Sequence, residues 1–297
     1  MSEPTRSLRA ALAAVPVRPD ELAAAYREAA ADLAGVRSDP ARAAEEAELQ
    51  ALVARAHARL FRPPRPRLDA LVTFVTGGWV RVLVRRRAEV LAAAGLFALA
   101  ALAAFGAVLF DPPGAVELLS PAVVGEAEAR LVSGRWQAPA GALQVVGLAT
   151  ENGLTAVETI AYGVSFGIGS AWSLIKNGAF VGALYGVAWH HDASAVLATF
   201  MVPHAPWEFL AIVAAGAGGL TLGGALAAPG RHLRRDALRE VAPDVLALAG
   251  SSMGLLLVAA CIEGLISPHV SGLGALLAAL IGAMTLAWFA RRGLRPA

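Results

Sequence analysis

His204 and Glu208 stand four residues apart, so on a helix both side chains fall on one face. Two more carboxylates, Glu158 and Glu263, lie inside other apolar runs of the same chain. Imidazole with carboxylates is a ligand set for zinc, and equally the makings of a proton relay. A charge near mid-bilayer costs about 2.5–3.5 kcal/mol on insertion scales, so each of these groups is expected to face other helices and to find a partner there. His204, Glu208 and Glu263 are expected to converge on the outer side of the protein, between the fourth and fifth apolar segments, with Glu158 joining them. A plainer reading also fits: with Pro206 in a first helical turn, Glu208 sits near the third position, where its carboxylate meets orphan amides and the positive end of the helix dipole.

Two amides complete the candidate set. Asn152, beside Glu151, is expected to open the second apolar segment at the outer face. Asn177-Gly178 reads as a turn at the inner face between the second and third segments, with Asn177 as a cap. His190 and His191 are expected to close the third segment as an exposed pair, and His269 to lie exposed after Pro268. No HExxH pattern, P-loop or GxGxxG is present, and the one cysteine, Cys261, cannot form an intrachain disulfide. On this reading no catalytic residue, metal or cofactor is assigned.

These residues must be positioned by long apolar helices. Stretches of about 20 apolar residues match a hydrocarbon core of ~30 Å at ~1.5 Å per residue. The candidates are roughly 89–110, 153–175, 178–198, 207–228, 243–266 and 271–290. Arg81, Arg85, Arg86 and Arg87 precede the first, which puts its start in the cytoplasm. With six alternating spans, every Lys and Arg except Arg130 and Arg135 falls on the cytoplasmic side, Lys176 included, and both termini are cytoplasmic. The expected fold is therefore all-α: a polytopic six-helix membrane bundle over 89–297, in the inner (plasma) membrane.

Of the 297 residues, 57% are apolar and 16% charged, with a formal net charge of +2. Residues 1–87 hold 15 of the 25 basic residues, so charge reads as a topology determinant and not as a nucleic-acid surface. The start of the chain is charged and shows no signal-peptide core. Residues 19–36 carry Leu22, Tyr26, Ala29 and Leu33 on one face. A break at Ser38 and the pair Asp39-Pro40, as N-cap and first helical residue, introduce a second helix with Leu49, Leu52, Val53, Ala56 and Leu60. This predicts a cytosolic helical hairpin over 1–66, ending in a stiff Arg62–Pro66 linker and too small to fold well alone. Residues 67–88 read as an amphipathic interfacial helix with Trp79 at headgroup depth. The loop 111–150 is expected to be external, with an amphipathic helix near 116–131 and Trp136 as an anchor. Gly178, Gly182 and Gly186 form a small-residue stripe, as do Gly163 with Gly167 and Gly219 with Gly223, each permitting close helix packing.

The chain resembles the stage II sporulation protein M family of integral membrane proteins. The resemblance rests on Glu151-Asn152, Lys176-Asn177-Gly178, Pro203-His204 with Glu208, the run Ala215 to Gly219, Pro229-Gly230, Ile262-Glu263-Gly264 and Ile266-Ser267-Pro268. Tyr26-Arg27, Ala31-Asp32-Leu33-Ala34 and the run from Leu52 to His57 look like the cytosolic extension of its non-sporulating members. Two positions depart from the family pattern: Ala205 stands where a glycine usually follows Pro-His, and Glu151 where a first asparagine is usual. The resemblance implies a membrane scaffold, since the spore-former member works with cell-wall hydrolases during engulfment. Expected partners are the lipid bilayer, other membrane or cell-envelope proteins, and a second copy of the chain. The alternatives are an ion or small-solute transporter using Glu158, His204, Glu208 and Glu263 as an outer vestibule, and a membrane-embedded metal-dependent hydrolase.

Overall fold

The computed structural model describes residues 2–14, 19–38, 42–61, 68–134 and 140–294. The expectations for Asp39-Pro40, the Arg62–Pro66 linker and Trp136 lie outside these residues. No strand occurs among the described residues. The chain divides into two compact units, Met1–Leu71 and Val72–Ala297.

Among its described residues the first unit has three helices rather than the expected two. α1 (Glu3–Ala13) precedes α2 (Pro19–Ser38) and α3 (Ala43–Leu60). Ser2 caps α1 by accepting from the Thr5 amide, and α1 adds Leu8 and Leu12 to a core with Leu22, Ala29, Leu33, Leu49, Leu52 and Ala56. A hairpin leaves one apolar side uncovered, and α1 covers it. Arg42 grips Asp32 with both terminal nitrogens, Nη1 to Oδ1 at 3.0 Å and Nη2 to Oδ2 at 3.2 Å, while Ser2 Oγ donates to Asp32 Oδ2 at 2.6 Å. These bonds hold the Asp32 carboxyl below the usual carboxylate range, the Arg42 bond being the largest cause.

The predicted interfacial helix is broken. α4 (Leu68–Thr73) and α5 (Trp79–Arg85) flank a wide turn, Phe74–Gly78, in which Gly77 takes φ 140°. Only glycine adopts that angle at low cost. Gly77 also touches the backbone of Gly293, where a Cβ would lie 3.0 Å from the Gly293 nitrogen. Trp79 is buried within the protein, edge-on to Phe289 at 5.7 Å, and is not presented to headgroups.

α6 (Arg87–Phe110) is followed by α7 (Ala115–Leu119) and α8 (Pro121–Val132). The single amphipathic helix expected near 116–131 is thus split at Ser120, whose φ is 78°. α9 (Ala142–Ala161) begins well before the predicted second span, so the external loop is shorter than 111–150. The chain then turns through Tyr162–Ser165 and the left-handed pair Phe166 and Gly167 into α10 (Ile168–His190). The predicted span 153–175 does not exist as one helix. Ser165 Oγ accepts the Gly169 amide at 2.8 Å and caps the new helix. Asn177-Gly178 lies inside α10 and is not a turn, and Lys176 sits exposed on that helix rather than in an inner loop.

Next come α11 (Ser194–Met201), α12 (Ala205–Ala227), α13 (Arg234–Leu265) and α14 (Leu273–Gly293). α12 is the central helix of this unit, with 12 of its 23 residues buried, and its Ala/Gly composition lets several neighbours approach closely. Glycines set the closest crossings. Gly178 and Gly182 press on the carbonyls of Phe97 and Ala101 in α6, while Gly163 meets Gly219 and Gly167 meets Gly223.

Four described helices are long and apolar enough to cross a membrane: α6, α12, α13 and α14. This is fewer than the six predicted. α9 carries Gln144, Glu151, Asn152 and Glu158, and α10 carries Lys176 and Asn177, which lowers their apolar content.

Candidate functional site

The site forms where the start of α12 meets the end of α13. These helices are joined through a turn at Gly230 and run antiparallel, so residues far apart in sequence share one level. Pro203 and His204 close the turn before α12; His204 is the N-cap, and Pro206 fits the first helical turn, where its missing amide proton leaves no bond unmade. Glu208 then lies one turn along, on the His204 face. Glu263 approaches from the last turn of α13, and Ser267 from the short 3-10 turn Ser267–His269 that follows it.

His204 is 1% exposed, and the side chains of Glu208 and Glu263 are 19% and 15% exposed. Its Nε2 lies 3.9 Å from Glu208 Oε2 and 3.9 Å from Glu263 Oε2. One ligand atom from each of the three residues falls within 4.8 Å of the other two. On the far side of the ring, Nδ1 lies 3.1 Å from Ser267 Oγ, and Phe200 packs edge-on with centroids 5.2 Å apart. Asn152, in the middle of α9, donates from Nδ2 to Glu208 Oε1 at 3.2 Å. Glu208 makes no capping bond to the first amides of α12.

Two carboxylates and an imidazole at this depth need compensation. Neighbouring buried acids cannot both stay ionised in a low dielectric unless a proton, a metal or a cationic side chain offsets them. Among the described residues, the ion-pair partner of both Glu208 and Glu263 is His204, while Arg85 and Arg86 are engaged with Asp244 near the other end of α13.

Beside Glu208 lies a cavity of about 30 Å³, lined by Asn152, Thr155, Thr159, Asn177, Ile212 and Leu256 among others. That volume holds about one or two waters. Thr159 Oγ1 and Ser173 Oγ share a hydrogen bond of 2.6 Å, and Asn177 Nδ2 donates to the Ser173 carbonyl at 2.8 Å. A band of hydroxyls and amides therefore continues from the acidic site between α9 and α10.

The structure brings His204, Glu208 and Glu263 together, places Asn152 against them, and sets Asn177 at the adjoining cavity. It does not bring in Glu158, which is exposed on α9. Asn152 and Asn177 were expected at opposite faces of the membrane, yet they line one cavity, because α9 and α10 begin and end elsewhere than hydropathy suggests. His190 sits at the end of α10 with Nε2 3.0 Å from the Val108 carbonyl, and His191 lies 3.5 Å from Glu128. Sequence reasoning missed Asp244, buried and bonded to Arg85 Nη1 at 2.6 Å and to Arg86 Nε at 2.8 Å. The available signal was an acid beside Pro243 at the head of an apolar run that follows an arginine cluster. Ser267 was visible only as part of a motif, with no role attached.

Residues 90–268 match the family described as Stage II sporulation protein M, and the chain belongs to that family. With that match and four helices able to cross a bilayer, it is a membrane protein. Residues 6–62 match a second family, described as Domain of unknown function (DUF8413). Searches of the curated proteins and of the solved structures returned no match.

Proposed function

We propose that this member of the stage II sporulation protein M family is a six-crossing protein of the bacterial inner membrane that serves as a scaffold for membrane and cell-envelope protein complexes. The six-crossing reading counts α9 and α10 as spans. Their polar residues are then tolerated because several face Glu208 and the cavity rather than lipid. Cytoplasmic termini follow from the basic residues at 81–87, 231–239 and 291–295.

The observation that carries the scaffold reading is the unit Met1–Leu71. It has its own apolar core and a solvent surface rich in Arg and Glu, the character expected of a docking module rather than a chemical site. The test is affinity purification from native membranes in mild detergent, comparing the full chain with one lacking residues 2–61. The full chain should retain a discrete set of membrane or envelope proteins, and the shortened chain should lose part of it while still inserting. Identical recoveries, or none above a mock purification, overturn the scaffold role.

A second reading is transport of an ion or small solute, favoured by the polar band running from Glu263 to Asn177. At about 30 Å³ the cavity admits water and no larger solute, so passage requires the helices to part. Flux into proteoliposomes that responds to Glu208→Gln supports this reading, and flux indifferent to it does not.

A further inference from the structure

We propose that His204 Nε2, Glu208 Oε2 and Glu263 Oε2 are the three protein ligands of a divalent transition-metal ion, Zn²⁺ being the best fit. Both imidazole–carboxylate separations are 3.9 Å, too long for hydrogen bonds and short enough for all three atoms to face one shared point. Around tetrahedral zinc with bonds of about 2.0–2.2 Å, ligand atoms lie about 3.3–3.5 Å apart. The two imidazole–carboxylate separations reach that geometry by shortening roughly half an ångström, and the carboxylate oxygens, within 4.8 Å of each other, close towards the same point.

The groups behind the ligands fit the same assignment. Ser267 engages Nδ1, which leaves Nε2 as the nitrogen directed at the carboxylates. Asn152 engages Oε1 of Glu208, which leaves Oε2 as the oxygen directed at His204. Outer partners that fix the ligand atom in this way are the usual support of a metal centre, and their loss costs about 10–100-fold in affinity. Charge agrees as well. Two carboxylates, a neutral imidazole and a divalent cation sum to zero, which removes the penalty of burying two anions in an apolar bundle. Imidazole with carboxylate is a borderline-hard set, suited to zinc and less to calcium or magnesium, which take oxygen ligands alone. Three protein ligands leave a coordination position for water or for a partner's side chain.

The test uses the full chain in detergent or nanodiscs, treated with a chelator and re-equilibrated with Zn²⁺ alone. Bound metal is counted by plasma mass spectrometry. To exclude the surface histidines, all forms carry His57→Ala, His190→Ala, His191→Ala, His232→Ala and His269→Ala. The expected result is about one zinc per chain, a higher unfolding temperature with zinc, and at least tenfold weaker retention in Glu263→Gln and His204→Gln. Asn152→Ala should weaken retention by about tenfold through Glu208. Should the ligand variants fail to fold, Co²⁺ bound to the background form decides the matter. A visible absorption band of tetrahedral cobalt at one equivalent supports the site, and no band overturns it. Zinc retention equal in the background and both ligand variants, or no retention in any form, also overturns it.

Discussion

Arg86 Nε donates to Asp244 Oδ2 at 2.8 Å and so ties the junction of α5 and α6 to α13. Asp244 is buried and Arg86 only partly exposed, whereas Arg85, on the other oxygen, is largely exposed. Removing the acid strands a half-buried guanidinium. Asp244→Ala is expected to destabilise the bundle by about 2 kcal/mol, below the range for a fully buried pair because water reaches both arginines. Arg85→Ala should change little. Thermal unfolding in detergent checks both, and a loss at Arg85→Ala equal to that at Asp244→Ala would overturn the lesser role of Arg85.

A methyl group added at Gly182 would sit 1.9 Å from the Ala101 carbonyl oxygen, and one at Gly163 2.4 Å from that of Gly219. Backbone cannot yield there as a side chain tip would. Gly182→Ala and Gly163→Ala should each cost about 1–3 kcal/mol, while Gly224→Ala, with nothing within 4 Å, should be neutral or slightly stabilising. Unfolding temperatures of the three variants compared side by side are the check.

Four spans and six spans give the same side for Gly134 and for Gly230, because a paired α9 and α10 that fails to cross changes nothing downstream. The turn between them tells the two apart. Ser165 is exposed there. In a Cys261→Ser background, Ser165→Cys should react with a membrane-impermeant thiol reagent only from the cytoplasmic side. Labelling from outside would leave four crossings.

Because Asp32 is held below its ordinary range in the folded unit, it stabilises that unit fully above the unfolded value of about 4 and ceases to as pH falls through the depressed value. Protection of α1–α3 against hydrogen exchange should fall between about pH 5 and pH 2. Asp32→Asn should start less protected at neutral pH and show a shallower fall. Parallel curves for the two forms would remove Asp32 as the cause.

Sequence alone determined the class of this protein. Runs of apolar residues long enough for a bilayer, with arginines at alternate ends, leave few folds but a helical membrane bundle. Spacing also carried part of the site: the interval between His204 and Glu208 fixes a common face on any helix. The glycine stripes were legible for the same reason, since a four-residue repeat is a helix face before any partner is known.

Two local signals were ambiguous without the tertiary structure. Asn177-Gly178 is a turn signal and also a small residue at a crossing, and only the approach of α6 decided for the second. The real break at Phe166 and Gly167 lies in an apolar stretch with no proline or charge, so hydropathy ran straight through it. That displaced Asn152 and Asn177 to opposite ends of helices on whose inner faces they actually lie. Only the fold could set Asn152 against Glu208, place Ser267 behind His204, and turn Glu158 outward. Such contacts depend on the rotation and offset of helices distant in sequence, which are set by packing at the glycine crossings and are invisible to any short-range pattern.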